Sequence, residues 1–292
     1  ERRKVNRMVK DKAKEKDAAG SPGPEPRPRP SSPRSPLSDV QLTRDTRNIP
    51  IGKVGVKDIS YPIVVMDKNR SFQSTVARIN MYVDLPHHFK GTHMSRFVEI
   101  LNRYREEIAL DKMETILAMM KEKLGASSAH LEMEFPYFIE KEAPVSRAKS
   151  LMEYTCTFSA SLSDQFDFVL GIKVPVTSLC PCSRELSSYG AHNQRSIMTV
   201  QVRYSEFIWI EDLIEIIEEC GSSPVYSLLK REDEKFVTER AYENPRFVED
   251  MVREATVRLL AMDNITWFSV EAENFESIHK HSAYAAIERS KS

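Results

Sequence analysis

Nowhere is this sequence apolar for long enough to cross a membrane or to form the core of a signal peptide. It also lacks a surplus of either charge. Its 42 basic and 43 acidic residues leave a formal net charge of −1, so no overall field draws the chain to nucleic acid or to an anionic membrane. An anionic ligand must therefore be met by local positive charge. Cysteine is scarce: Cys156, Cys180, Cys182 and Cys220 are the four in 292 residues. That usage is expected of a cytoplasmic protein in reducing surroundings, where a close cysteine pair serves metal binding or catalysis more often than a disulfide. The phosphate-cradling pattern G-x-x-x-x-G-K-[ST] is missing too, which leaves side chains and the ends of strands or helices to meet any phosphate.

What is present divides into a leader and two modules. Residues 1–38 run from RRKVNRMVKDKAKEKD into SPGPEPRPRPSSPRSP. They offer so little apolar surface against chain entropy that a disordered leader is expected, either solvated or drawn to something acidic. The length beyond it suits two moderate cores, at 39–162 and 163–292. In the first, SFQSTVARINMYVDL alternates Ala77, Ile79, Met81 and Val83 with polar neighbours, the period of a half-buried strand. Two amphipathic helices follow, one facing inward with Met94, Phe97, Val98 and Leu101, the other with Met113, Ile116, Leu117 and Met120. Strand patterns at AHLEMEFPYF and LMEYTCTFSA come next.

The second module repeats the plan without repeating the residues. FDFVLGIKVPV and SIMTVQVRYS read as strands, IEDLIEIIEEC and NPRFVEDMVREATVRLLAM as helices with Pro245 in a first turn, and TWFSVEAENF and AYAAIER as closing strands. Paired strands separated by helical pairs predict an α+β fold with antiparallel sheets.

The segment VTSLCPCSRELSSYGAHNQRS, residues 176–196, carries the densest chemistry. Cys180 and His192 can approach each other because Pro181, Gly190 and short polar residues let the chain loop back. A C-P-C spacing sends the two thiols to opposite sides of an extended strand, so one cysteine is expected to be a ligand and the other, Cys182, to be packed. A metal site, a redox pair, and a buried thiol beside a surface histidine all remain open on spacing alone. Cys156 and Cys220 read as core residues. Near the C-terminus, ENFESIHKHSAYA places Glu276 ahead of His279 and His281, which would share one face of a strand and suit proton transfer, metal support or plain surface polarity. The acid-rich KREDEKFVTERAYENPRFVED contains Glu234 and Glu249, and most of its carboxylates should lie on solvated helix faces.

Taken together, VPVTSLCPCSRELSSYGAHNQRS, DEKFVTERAYENPRFVED and NFESIHKHSAYA resemble the type IB GTP cyclohydrolase family, over about Asp39 to Ile287 and with the early DVQ at Asp39–Gln41 and VGV at Val54–Val56. The resemblance implies a bimodular tunnelling fold (T-fold), each module a four-stranded antiparallel sheet with a helical pair between its second and third strands. It implies a homotetramer with active sites at subunit interfaces. It also implies a divalent metal (zinc, manganese or iron(II)) held by Cys180, His192 and Glu234, with no organic cofactor. Glu249 would anchor guanine, because a carboxylate accepts hydrogen bonds from both N1–H and the 2-amino group. Glu276 and His279 would act with Cys180 in catalysis, carrying protons as the imidazole ring opens. Arg184 and Arg195 are the first candidates for the triphosphate, with Arg240, Arg246 and Lys280 behind them.

The activity so implied is conversion of GTP and water to 7,8-dihydroneopterin triphosphate and formate, the first step of tetrahydrofolate synthesis, with no nucleic-acid or membrane partner. Competing readings are an archaeal-type iron enzyme yielding a cyclic phosphate of dihydroneopterin, a non-catalytic purine or pterin binder, and a thiol redox protein.

Overall fold

The computed structural model describes residues 41, 43–104 and 112–291, so the leader lies outside the described residues. Among them are nine strands and six helices. In chain order these are β1 (Ile51–Asp67), β2 (Ser71–Leu85), α1 (Met94–Arg103), α2 (Met113–Leu124), β3 (Ala129–Glu142), β4 (Lys149–Leu162), β5 (Phe166–Leu179), α3 (Pro181–Leu186), β6 (Asn193–Tyr204), α4 (Ile210–Glu218), β7 (Ser223–Pro224), α5 (Arg231–Glu243), α6 (Val248–Leu260), β8 (Ile265–Asn274) and β9 (Ala283–Ser290).

The strands form one antiparallel sheet ordered β1-β2-β3-β4-β5-β6-β8-β9, with β7 pairing β5. This corrects the expectation of two separate four-stranded sheets. β4 and β5 pair from Thr155↔Lys173 to Leu162↔Phe166, and the intervening turn is closed by Ser163 N–H donating to the Gln165 carbonyl at 3.3 Å. A turn this short lays the two strands side by side, and pairing satisfies edge groups that two separate sheets would leave open. Close approach is built in: a Cβ on Gly171 would stand 2.1 Å from Thr157 Oγ1 across the same ladder. The second half also departs from the plan of one helical pair. It has α3 between β5 and β6, and α4, β7, α5 and α6 between β6 and β8.

Side chains paired directly across a ladder point to the same side. Ile79↔Met133↔Phe158↔Leu170↔Val202↔Phe268 is therefore one row on one face, and every member is buried. The helices cover that face. The stripe expected on α2 is buried as read. On α1 the phase differs: Phe97, Ile100 and Leu101 are buried, whereas Met94 and Val98 are exposed. With Tyr104 these form an i, i+3, i+4, i+7 stripe beginning at Phe97. Helix α6 buries Val248, Met251, Val252, Ala255 and Leu259 as expected, but it begins after Pro245, with Asp250 accepting the Phe247 N–H at 3.0 Å. The opposite face of the sheet is polar, with Arg78, Asn80, Glu132, Glu134, Thr157, Ser159 and Gln201 lining a shallow depression of about 280 Å³.

One carboxylate of the acid-rich segment is not solvated. Asp233, in the first turn of α5, is buried and accepts from the N–H groups of Val145 (2.8 Å), Ser146 (2.9 Å) and Lys230 (2.8 Å) and from Ser146 Oγ (2.5 Å). It thereby pins the β3–β4 turn to the start of α5. Burial pushes its pKa up, but the hydrogen bonds from Ser146, Lys230 and Val145 outweigh burial and hold it well below the usual range. The Arg203 side chain lowers Asp167, and hydrogen bonds from Ser127 and Ser128 lower Asp84 against the cost of its burial. All three bind protons less tightly folded than unfolded. The stability they contribute is complete above the ordinary value of 3.8 and is lost as pH falls through the folded values. The part of the thermal stability owed to these three should be constant above about pH 5 and be lost below about pH 4. Asp233→Ala should lower Tm at neutral pH by roughly 5–10 °C and soften that acid loss. Calorimetry showing an unchanged Tm would remove the anchor from this account.

Candidate active site

β5 and β6 form a hairpin whose last strand pair is Leu179↔Asn193. Continuing that register brings Cys180 and His192 together, joined by the Cys180 N–H donating to the His192 carbonyl at 3.1 Å. The eleven residues between them fold into α3 and a return loop. Pro181 occupies the first turn of α3, where its missing N–H costs nothing. Cys180 caps the helix, its Sγ accepting the Ser183 N–H at 3.4 Å, while Ser183 Oγ accepts the His192 N–H at 3.1 Å.

Three strands deliver polar side chains to the same end of the buried face. On β5, Val174 and Val176 give way to Ser178; on β6, Met198 and Val200 follow Gln194 and Ser196; on β8, Val270 and Ala272 lead to Asn274. These polar residues are buried and bonded to one another. Ser196 Oγ donates to Asn274 Oδ1 (2.6 Å), and Asn274 Nδ2 (2.9 Å) and Gln194 Nε2 (3.5 Å) donate to Ser178 Oγ. Just beyond β8, Phe275 N–H donates to the Arg195 carbonyl at 3.1 Å, which carries Glu276 over the site. Gln194 Nε2 faces Glu276 Oε1 at 3.4 Å, and His192 Nδ1 lies 2.9 Å from Gln194 Oε1 and 3.9 Å from Glu276 Oε2. Both the His192 and the Glu276 side chains are largely buried.

His192 and Glu276 thus converge, with the Cys180 backbone joined to that of His192, around a polar cluster that sequence reasoning missed. Its signal was available: in each strand the apolar alternation turns polar on the inward phase at one end. The remaining candidates are more dispersed. Glu234 and Glu249 are exposed in the first turns of α5 and α6. Arg184 places its guanidinium 4.8 Å from the Tyr242 ring, Arg195 is exposed on β6, and Arg240 pairs with Glu219 at 2.8 Å. Arg246 Nε donates to Asn244 Oδ1 at 3.0 Å. His279, Lys280 and His281 are exposed in the loop between β8 and β9, not on a strand, although the two imidazoles stack with centroids 5.1 Å apart. Among the described residues, no three His, Cys, Asp or Glu side chains are grouped so as to hold a metal ion. Cys180 and His192 therefore adjoin without Glu234 completing a set within this chain.

Cys182 is exposed, not packed. The C-P-C segment is not extended: Pro181 starts a helix, and the second thiol turns outward on its first turn. Cys156 and Cys220 are buried as expected, and burial pushes both thiols up, Cys220 to about 12. No helix among the described residues is long and apolar enough to cross a membrane.

In fold the chain resembles solved uricases. It aligns with the Arthrobacter globiformis enzyme at a TM-score of 0.51 and 8% identity, covering 82% of this chain and 93% of that one. It aligns with a Bacillus fastidious uricase at 0.50 and 8%, covering 84% and 94%. At such identity the likeness is one of fold alone, and it is to a uricase-like nine-stranded sheet, not to the pair of four-stranded tunnelling-fold modules expected. The sequence is more specific. Residues 37–285 match the family described as type I GTP cyclohydrolase folE2. GTP cyclohydrolase FolE2 of Citrifermentans bemidjiense is 93% identical over 255 residues, spanning 87% of this chain and 96% of that protein. Its namesake in Syntrophus aciditrophicus is 60% identical over 254 residues, spanning 87% and 100%. The chain belongs to the FolE2 family of type I GTP cyclohydrolases.

Proposed function

We infer that this chain is a GTP cyclohydrolase of folate biosynthesis, converting GTP and water to 7,8-dihydroneopterin triphosphate and formate. The observation that carries the inference is its 93% identity to a GTP cyclohydrolase across nearly that protein's full length. The approach of His192 to Glu276, with Cys180 bonded to His192 through the backbone, supports placing the chemistry at this end of the sheet.

The donor chemistry there suits a divalent ion such as zinc, manganese or iron(II). His192 Nδ1 is engaged by Gln194, which leaves Nε2 to meet an ion, and Cys180 is bonded to the His192 backbone. Cys180 and His192 would hold the ion with Glu234 as third ligand, and when bound it would supply Lewis-acid activation of water for addition at C8 of guanine. The chain's own groups do the rest. Glu249 accepts from the guanine N1–H and 2-amino group. Glu276 and His279 pass protons toward N7 and N9 as the imidazole ring opens and formate leaves. Arg184 and Arg195 meet the triphosphate, with Arg246 and Lys280 next in order; Arg240 is already committed to Glu219.

We further place the complete site between subunits of a cytoplasmic homotetramer. Support comes from Glu234 standing exposed and apart from Cys180 and His192. Leu186 at the end of α3 and Tyr189, Phe275 and Ile278 on the loops flanking the site also expose apolar surface of the kind a neighbouring subunit covers. Incubation with GTP and each metal under reducing conditions should release formate and a pterin whose mass matches the open triphosphate. A cyclic phosphate product would instead support the archaeal-type reaction. Nucleotide binding without formate release under all three metals would overturn the assignment in favour of a binding protein.

A further inference from the structure

We propose that Gln194 is a positioning residue that locks His192 in the tautomer carrying its proton on Nδ1, through a hydrogen-bond chain whose polarity is set at the Arg246 carbonyl. The proposal rests on the reading of His192 as an active-site residue, but its geometry stands independently. A serine hydroxyl has one proton to donate. That of Ser178 points at the Arg246 carbonyl oxygen, 2.9 Å away, which can only accept. The other two neighbours of Ser178 Oγ must therefore donate to it. Asn274 does so through Nδ2 at 2.9 Å, its orientation matched by Ser196 Oγ donating to its Oδ1 at 2.6 Å. Gln194 does so through its amide nitrogen at 3.5 Å.

A second partner orients the amide the same way. Gln194 Nε2 also donates to Glu276 Oε1 at 3.4 Å. A flipped amide would set oxygen against carboxylate and leave Ser178 with lone pairs facing an acceptor. The amide oxygen is thus left to face His192 Nδ1 at 2.9 Å, and Nδ1 must bring the proton. Glu276 Oε2, 3.9 Å from the same nitrogen, favours that proton as well. The lone pair of His192 is consequently on Nε2, turned away from the buried network. Gln194, Ser178, Ser196 and Asn274 are all buried, so water does not compete for these bonds.

Long-range proton–nitrogen NMR of metal-free protein with 15N-labelled histidine reads the tautomer directly, with the His192 signal identified by its loss in His192→Asn. The wild type should show one His192 species, protonated on Nδ1. Gln194→Met keeps the volume and removes the acceptor; its His192 should populate both tautomers, and turnover should fall roughly 10–100-fold with KM for GTP little changed. Ser178→Ala, which removes one of the two groups orienting the amide, should shift the tautomer the same way to a smaller extent. If Gln194→Met does not fold, the wild type and Ser178→Ala decide. A wild-type His192 protonated on Nε2, or a Gln194→Met protein that keeps the single Nδ1 species, overturns the proposal. Because the spectrum needs neither GTP nor metal, an absence of turnover in the wild type would refute the proposed activity without touching this result.

Discussion

Cys180→Ala should lower kcat by at least ~10³-fold, on the order of 4 kcal/mol of transition-state stabilisation, while the protein stays folded. The asymmetry follows from where the thiol stands. Cys180 is half-buried at the end of β5, beside His192, and its sulfur accepts a single long bond from the Ser183 N–H at 3.4 Å. Losing that cap costs about 1 kcal/mol at most. On the proposed role of Cys180 as a ligand, its loss would also remove the means of activating water. Cys182→Ala is the matched control, since the exposed Cys182 should be replaceable without change in kcat or Tm. A packed Cys182, as its spacing alone predicts, would instead cost stability when removed. Formate release and thermal melting of both variants separate these outcomes, and equal activity of Cys180→Ala and wild type would remove Cys180 from the chemistry.

Glu218→Ala should cost roughly 3–5 kcal/mol of stability and lower Tm by roughly 10 °C. Glu218 on α4 is buried and accepts from Lys141 Nζ of β3 at 2.5 Å and from Tyr154 OH of β4 at 2.6 Å. Lys141 also donates to the Val225 carbonyl at 2.8 Å and lies 4.3 Å from the centroid of the Tyr226 ring. Side-chain exposures of 15% for Lys141 and 11% for Glu218 mean that removing the carboxylate strands a cation away from water. Burial already pushes the Lys141 amine down, and Glu218 opposes that shift. With the folded pKa below the ordinary 10.5, the unfolded chain binds the extra proton between the two values, so stability rises with pH through that window. Without Glu218 that rise should begin at lower pH, because the carboxylate that opposes the shift is gone. Urea melts across pH read this directly. The double variant Lys141→Met/Glu218→Leu should recover most of the loss, because an apolar pair of similar size carries no desolvation cost. A single-variant loss below about 1 kcal/mol would contradict the account.

Elements whose order rests on local periodicity were legible in the sequence. The alternation of Ala77, Ile79, Met81 and Val83 and the α2 stripe at Met113, Ile116, Leu117 and Met120 are both buried as read. What depends on long-range pairing was not. A short turn after Leu162 looks the same whether it separates two sheets or continues one, and only the β4–β5 register decides. On α1, Met94 and Val98 fit the helical period as well as Ile100 does, and contact with the sheet chose Phe97, Ile100 and Leu101. Asp233 is indistinguishable in composition from its solvated neighbours Glu232 and Glu234, because its burial comes from Val145 and Ser146, far off in the chain.

The site divides along the same line. Cys180 and His192 could be paired from one segment because a single hairpin joins them. Gln194, Ser178 and Asn274 come from three strands, and their common function is visible only once those strands are in register. His279 and His281 were expected on a strand, but β9 begins at Ala283, so their stacking comes from a loop.

The most direct test uses GTP carrying 13C at C8, incubated with metal-loaded protein under reducing conditions and followed by 13C NMR. The label should pass into formate as pterin accumulates in equal amount, and it should remain in GTP when Cys180→Ala replaces the wild type. Label retained in an intact purine ring by the wild type, with zinc, manganese and iron(II) alike, would contradict the assignment of this chain as a GTP cyclohydrolase.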